Sequence, residues 1–532
     1  MRRTITLLLA CAVTSLLLAV PASRRPVLRT ADDGTEKTVY LHGDAAFHYL
    51  TDSEGQWLDE QTLLPMTDEA RLARIDEGIA RQQARRVQRQ KQGIGELNLA
   101  PRGLIILVNF SDLSFVTSPD TMRNMLNGED FHRSYSYTEK YTDLLGRQRT
   151  RTHNISASGS ARQYFHDQSW GQYNPQFDVV GPYTLSKTQS YYGGSSSGYS
   201  YEVGVMIKEA CQAADNDGVD FSLYDNDHDN RVDFVYVIYA GYGRADSPEA
   251  NTIWPHNYDL SAWGISCKVD GKYIRNYACS NELSYTAKTY AGVGTFTHEF
   301  GHVLGLPDFY ETNESPLGLN TLNEWDIMDY GPYNNDGNTP PAYSAYERFF
   351  MGWLTPRVLT HPESVWLGPL NSDQQTLLMC EGNQHNMDAL HPSPSTFYLL
   401  ENRKQTDWDT YLPGAGLLIT KIKFSEYLWA TNSVNNDSTN MGVDIIEAKA
   451  NRSRYGRATD AYPAGATAYT GFANHEITDI VLEPTGAITF SYRGAEKTAI
   501  DKVEDGQAAR KVLRNGHIII VRNGTEYDIL GR

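Results

Sequence analysis

Residues 297–308 read Thr297-His298-Glu299-Phe300-Gly301-His302-Val303-Leu304-Gly305-Leu306-Pro307-Asp308. Two imidazoles four positions apart leave one face of a helix about a turn apart, so both reach a single metal ion. Glu299 follows the first of them. It lies near the coordination position left open to solvent, where a carboxylate can take the proton from a water that zinc has acidified. Gly305 can end the helix at positive φ and Pro307 forbids its continuation, so the chain turns and can return Asp308 to the same ion. His298, His302 and Asp308 with one water make a catalytic zinc site, and Glu299 is its catalytic group. A core helix with two ordinary histidines is the plainer reading, and it leaves the placing of Gly305 and Asp308 unaccounted for.

Working outward, Trp325-Asp326-Ile327-Met328-Asp329-Tyr330-Gly331 lies where a metzincin carries its Met-turn, the hydrophobic floor beneath the metal. HEFGHVLGLPDFY followed by WDIMDYG resembles the immune inhibitor A family of secreted, metzincin-like zinc metalloendopeptidases. The resemblance implies an aspartate as third ligand where typical metzincins have histidine. It also bears on Tyr330, because in astacin-like and serralysin-like metzincins a tyrosine at this spacing contacts the metal or the oxyanion. Tyr330 is a candidate catalytic residue on that basis and a core or rim tyrosine otherwise. FYLLENRKQTDWDTYLPGAGLLI, from Phe397 to Ile419, resembles the segment that follows the catalytic helix in the same family, so the resemblance covers most of residues 100–425. His256, in Ile253-Trp254-Pro255-His256, resembles a recurrent family element, but a lone histidine reads first as hydrogen-bonded structure.

At 532 residues the chain is too long for one core, and two or three folded units are expected. A net charge of -18, with no basic patch in the central region, excludes nucleic acid and anionic membranes as partners. Met1-Arg2-Arg3, the leucine-rich run from Leu7 to Leu18 and the small residues of Val20-Pro21-Ala22 make a secretory signal. Leu8-Leu9-Ala10-Cys11 offers a lipoprotein box as the alternative, against which the apolar run continues past Cys11. No later segment is apolar enough to cross a membrane. The chain then divides into a signal peptide at 1–22, a prosegment at 23–100, a zinc metallopeptidase domain at 101–356, a β-rich domain at 357–495 and a C-terminal strand segment at 496–532. Within the prosegment, two short strands flank Gly43-Asp44, and a helix opens at Thr67 and closes on Arg81, Arg85, Arg86, Arg89 and Lys91, a run that reads as a solvated helix face or as a processing site. Its lack of cysteine excludes a cysteine switch. Asp44 is the candidate carboxylate for capping zinc, with a plain turn as the alternative.

Leu104–Phe110, Phe177–Val180 and Phe234–Tyr239 read as buried strands, and helices begin at Ser160 and Tyr201. Strands alternating with helices predict an α/β (α+β) metzincin-like peptidase domain. Past Pro356, runs such as Thr396–Arg403 and Gly416–Ile422 between Asn, Gly and Pro clusters predict an additional β-rich domain. Arg510–Gly524 ends the chain in two or three strands; it resembles the sorting modules of type IX secretion cargo, or is an accessory strand pair.

A second chemical feature lies at Asp225-Asn226-Asp227-His228-Asp229-Asn230-Arg231-Val232-Asp233. Asp225, Asp227, Asp229 and Asp233 can wrap one structural calcium, with Asn230 at the left-handed turn where such loops usually carry glycine. An acidic turn without an ion is the alternative. Four cysteines remain after the signal, Cys211, Cys267, Cys279 and Cys380, and export invites disulfides among three possible pairings. Cys267 and Cys279 flank a hairpin in which Cys267 would face Ile274, so their bridge is not assured.

These features together describe a secreted zinc endopeptidase made as a zymogen and acting on protein or peptide substrates. Cell-surface attachment and contact with secretion machinery through the C-terminal segment belong to the same reading. A catalytically silent surface binder or adhesin with a structural metal is the alternative, against which stands the intact Glu299.

Overall fold

The structure, a computed structural model, describes residues 27–43, 47–80, 101–143, 146–194, 201–226, 228–245, 247, 249, 251–313, 322–450 and 455–495, and the backbone alone at 510–514, 517–522 and 525–527. The leader at 1–22, Asp44, Asp227 and the basic run from Arg81 lie outside the described residues.

The chain opens with an antiparallel sheet of β1 (Val27–Thr30), β2 (Glu36–Gly43), β3 (His48–Thr51) and β4 (Trp57–Leu58). Helix α1 starts at 68, where Thr67 Oγ1 accepts from Ala70 N at 3.2 Å as an N-cap. The next strand is β5 (Arg102–Asn109), followed by α2 (Pro119–Asn127), a two-stranded ribbon of β6 (His132–Thr142) and β7 (Gln148–Ser158), α3 (Ala161–Gln168) and β8 (Gln176–Thr184). Then come α4 (Gln189–Tyr192), α5 (Tyr201–Asn216), β9 (Arg231–Val232), β10 (Val235–Tyr242), β11 (His256–Asp259), β12 (Cys267–Val269), β13 (Lys272–Ile274), β14 (Asn276–Ser284), β15 (Thr289–Tyr290) and α6 (Gly294–Val303).

The main sheet runs β11-β14-β10-β5-β8, with β15 beside β14. Its strands are parallel except for β11, an antiparallel edge, and β15. Because it is covered on both faces, β5 is apolar without alternation, as a parallel strand should be. The alternation is instead between two cores. Ile105 and Leu107, with Tyr236 and Ile238 of β10, join the core that holds α2, α3 and α6. Leu104, Ile106 and Val108, with Val235, Val237 and Tyr239, join the core that holds α5. Val39, Leu41, Leu50 and Leu58 of the N-terminal sheet belong to this second core, so the N-terminal sheet and the main sheet share buried apolar surface.

Beyond the peptidase region the chain is β-rich. One sheet is ordered β16 (Arg357–Val358), β18 (Leu377–Cys380), β19 (Thr396–Arg403), β20 (Gly416–Lys423) and β21 (Val443–Ile445). A smaller one is ordered β17 (Glu363–Leu367), β23 (Ile488–Tyr492) and β22 (Ile477–Leu482). Period-two alternation again assigns the faces. Tyr398, Leu400, Leu417 and Ile419 meet the small sheet, while Phe397, Leu399, Leu418 and Ile422 enter the same core as Phe300 and Met328. The β-rich region is thus packed into the peptidase core through one face of its larger sheet. At the C-terminus, β24 (Arg510–Arg514), β25 (His517–Arg522) and β26 (Thr525–Tyr527) pair antiparallel. Among the described residues no helix is long and apolar enough to cross a membrane.

Candidate active site

Helix α6 owes its place to its phenylalanines. Phe296 and Phe300, one turn apart, press on Phe177 at centroid distances of 4.9 and 5.3 Å, which turns His298 and His302 away from the sheet. Gly301 is required between them, since a Cβ there would stand 2.7 Å from Met328 Sδ. Met328 lies directly under the helix as the Met-turn expectation demands. The helix ends as its sequence indicates: Gly305 has φ +97°, its N–H reaches His302 O at 2.9 Å, and Leu306 N reaches Gly301 O at 3.1 Å.

Each histidine is fixed by its other ring nitrogen. His298 Nδ1 donates to Ile327 O at 2.7 Å, within the Met-turn, and His302 Nδ1 donates to Leu306 O at 2.9 Å. With Nδ1 protonated, the neutral rings present bare Nε2 lone pairs, the arrangement metal-ligating histidines use. Both Nε2 atoms lie 3.3 Å from Asp308 Oδ1. Among the described residues this is the one group of three or more His, Cys, Asp or Glu side chains whose ligand atoms converge within 4.8 Å. His298 Nε2 and Asp308 Oδ1 are buried with no hydrogen-bond partner, a costly state for two polar atoms unless a cation bridges them. Two imidazole nitrogens and one carboxylate oxygen suit zinc. Burial works against the Asp308 anion, but when His302 and His298 are protonated their charge outweighs it and holds the carboxyl well below its usual range. Glu299, 2% exposed, goes the other way: burial and the Asp308 charge push it up against the opposing pull of both histidines.

Several neighbours carry no sequence signal. Asp308 N donates to Asn432 Oδ1 and Asn432 Nδ2 donates to Asp308 Oδ2, both at 2.7 Å. Tyr310, buried two residues past Asp308, stacks near His298 at a centroid distance of 6.4 Å; burial first, then Asp308 and Glu299, push its phenol well above the ordinary value and keep it a neutral donor. Tyr330 is half-buried, its N–H on Asn323 O at 3.2 Å.

In the acidic loop, Asn230 has φ +68°, the left-handed turn anticipated there. Asp225 is buried and accepts from Asp229 N at 3.0 Å, Asn230 N at 3.1 Å and Lys272 Nζ at 2.6 Å. Burial raises its carboxyl, and Lys272 brings it below the usual value. Asp233 Oδ2 accepts from Asn226 N and Nδ2, each at 2.7 Å. Asp225, Asp229 and Asp233 do not form a converging group among the described residues. His256 is structural: Nδ1 donates to Trp254 O at 2.6 Å, Nε2 lies 3.0 Å from Tyr277 Oη, and burial lowers it to about 4. Cys211, Cys267, Cys279 and Cys380 are buried thiols. Cys267 pairs across its hairpin with Ile274, while Cys279 Sγ lies 3.6 Å from His256 Nδ1.

A mostly parallel sheet with an antiparallel edge, an H-E-x-x-H helix, an aspartate returned after a glycine turn and a methionine floor define a metzincin-like metallopeptidase domain. Residues 95–354 match the family described as immune inhibitor A peptidase M6, catalytic domain. It is 27% identical over 277 residues to the pre-pro-metalloprotease PrtV of Vibrio cholerae serotype O1, an alignment covering 47% of this chain and 29% of the relative. It is 25% identical over 276 residues to immune inhibitor A of Bacillus thuringiensis subsp. alesti, covering 47% of this chain and 39% of the relative. The aligned part therefore spans well under half the length of either relative.

Proposed function

We propose that this chain is a secreted zinc endopeptidase made as a zymogen, in which His298, His302 and Asp308 hold the metal and Glu299 is the general base. The observation that carries this reading is the convergence of two bare Nε2 atoms on Asp308 Oδ1 at 3.3 Å, with both Nδ1 atoms committed to carbonyls. Bound there, zinc supplies Lewis acidity to a water and to the scissile carbonyl. Glu299 takes the water's proton and passes it to the leaving amine. Its buried, upward-shifted carboxyl suits both halves of that task. Tyr330, two residues past Met328, is the phenol we assign to the oxyanion on that spacing, while Tyr310 stays with Asp308.

Latency is supported by the N-terminal hairpin. His42, Gly43 and Tyr49 line a cavity of about 20 Å³ together with Asn432, which holds Asp308, and with Thr312 and Asn436 beside it. The "pre-pro" in the name of the Vibrio relative agrees with a leader and a removable segment. The test compares the full chain with chain that has been cut in the 81–100 region and then separated from its N-terminal fragment, on denatured protein. The cut, zinc-loaded form should hydrolyse it, a chelator should stop it, zinc should restore it, and the uncut form should be silent. A cut form replete with zinc that leaves peptide bonds intact returns the silent-binder reading.

For the acidic loop we propose calcium, in competition with Lys272. Added calcium should raise the melting temperature by linkage to the folded state, and Lys272→Met, which removes the ammonium from Asp225, should enlarge the gain. Melting indifferent to calcium in both proteins leaves an acidic turn closed by Lys272.

A further inference from the structure

The segment carrying the third ligand is held by residues 124 positions later in the chain. Asn432 exchanges two hydrogen bonds of 2.7 Å with Asp308, one to its N–H and one to Oδ2. Around this pair, Thr312 N donates to Asn436 Oδ1 at 2.7 Å and Thr312 Oγ1 to Asn432 O at 2.8 Å. Asn435 Nδ2 reaches Phe309 O at 2.7 Å and Val443 O at 2.8 Å, which ties the loop to β21. Asn432 is 6% exposed and sits at φ +50°, a left-handed conformation that asparagine tolerates.

A carboxylate that binds a metal through one oxygen must have the other oxygen occupied, or it is free to turn. Asn432 occupies Oδ2 with a neutral donor, which leaves Oδ1 aimed at the two imidazoles without cancelling the negative charge the metal needs. A lysine or arginine there would fix the orientation and weaken the ligand. The geometry points to Asn432 as a positioning residue for the metal site, so that a side chain outside the 95–354 catalytic stretch completes it. This inference rests on the reading of His298, His302 and Asp308 as zinc ligands.

The test uses the full chain and reads zinc, not turnover. Asn432→Gly removes both bonds and keeps the left-handed backbone; Asn432→Ser is uncharged and too short to reach either partner. Zinc affinity is measured by chelator competition, alongside the melting temperature with and without zinc. Both variants should hold zinc about 10–100-fold more weakly than the parent, with a smaller zinc-dependent gain in melting temperature. If Asn432→Gly fails to fold, Asn432→Ser decides. A folded variant that binds zinc as tightly as the parent overturns the positioning role and leaves the metal site standing. A parent that binds no zinc overturns the site and this inference together.

Discussion

Glu299→Gln should leave zinc content unchanged and lower peptide turnover by about 10²–10⁴-fold or more, because the amide keeps the shape of the side chain but cannot accept a proton. The ligands are untouched: His298 and His302 remain fixed by Ile327 O and Leu306 O, and Asp308 by Asn432. At about 1.36 kcal/mol per tenfold, the loss amounts to roughly 3–5 kcal/mol of transition-state stabilisation. His302→Ala should differ in kind by losing the metal itself. Zinc analysis and turnover on the same samples separate the two, and a zinc-replete Glu299→Gln protein within tenfold of the parent would take the base role from Glu299.

The second large effect belongs to stability. Arg403 on β19 is fully buried, with Nη2 and Nε on the Asp409 carboxylate at 2.6 and 2.9 Å, Nη1 on Glu401 Oε1 at 3.2 Å and Nη2 also on Ala342 O at 3.0 Å. The carboxylates also have backbone partners: Asp409 Oδ1 accepts from Ala342 N at 2.9 Å, and Glu401 accepts from Ala345 N. Arg403→Met strands two buried carboxylates and should cost about 3–5 kcal/mol, a large part of the 5–15 kcal/mol typical of a whole protein. A urea titration at neutral pH checks this; a deficit under about 1 kcal/mol would mean the ion triad is dispensable. Replacing all three residues by apolar ones should recover only part of the loss, because the Ala342 and Ala345 N–H groups would then be buried unpaired.

Much of this was legible from residues 297–331 because their chemistry is local. Helical spacing, the Gly305 stop and the methionine three residues past Trp325 each carry meaning within one or two turns. Buried strands were legible for the same reason: Thr396–Arg403 coincides with β19, and Leu104–Phe110 differs from β5 by two residues at one end and one at the other. The β6–β7 ribbon escaped notice because much of both strands is exposed, so the sequence shows no sustained apolar period there. Asn432 escaped for another reason, since an amide in an asparagine-rich loop looks like turn chemistry until its partner arrives from 124 residues away. Lys272, which holds Asp225 across a hairpin, is illegible in the same way. The single core that joins β19 and β20 to Phe300 and Met328 likewise emerges only once the two segments are folded together.

If the chain is made as the zymogen proposed above, its N-terminal sheet has a consequence for the kinetics of activation. Val39, Leu41, Leu50 and Leu58 are built into the core that also holds Tyr258, Leu260 and Trp263 of the enzyme. A cut in the 81–100 region breaks the tether without withdrawing any of these side chains. It converts an intramolecular partner, present at an effective concentration of about millimolar, into a bound fragment at the concentration of the protein itself. Cleavage and release then become separate events, and the freshly cut molecule is a complex with its own off-rate. Its activity would appear on dilution, or after further digestion of the fragment, so crowded precursor would stay quiet where it is made and wake as it spreads.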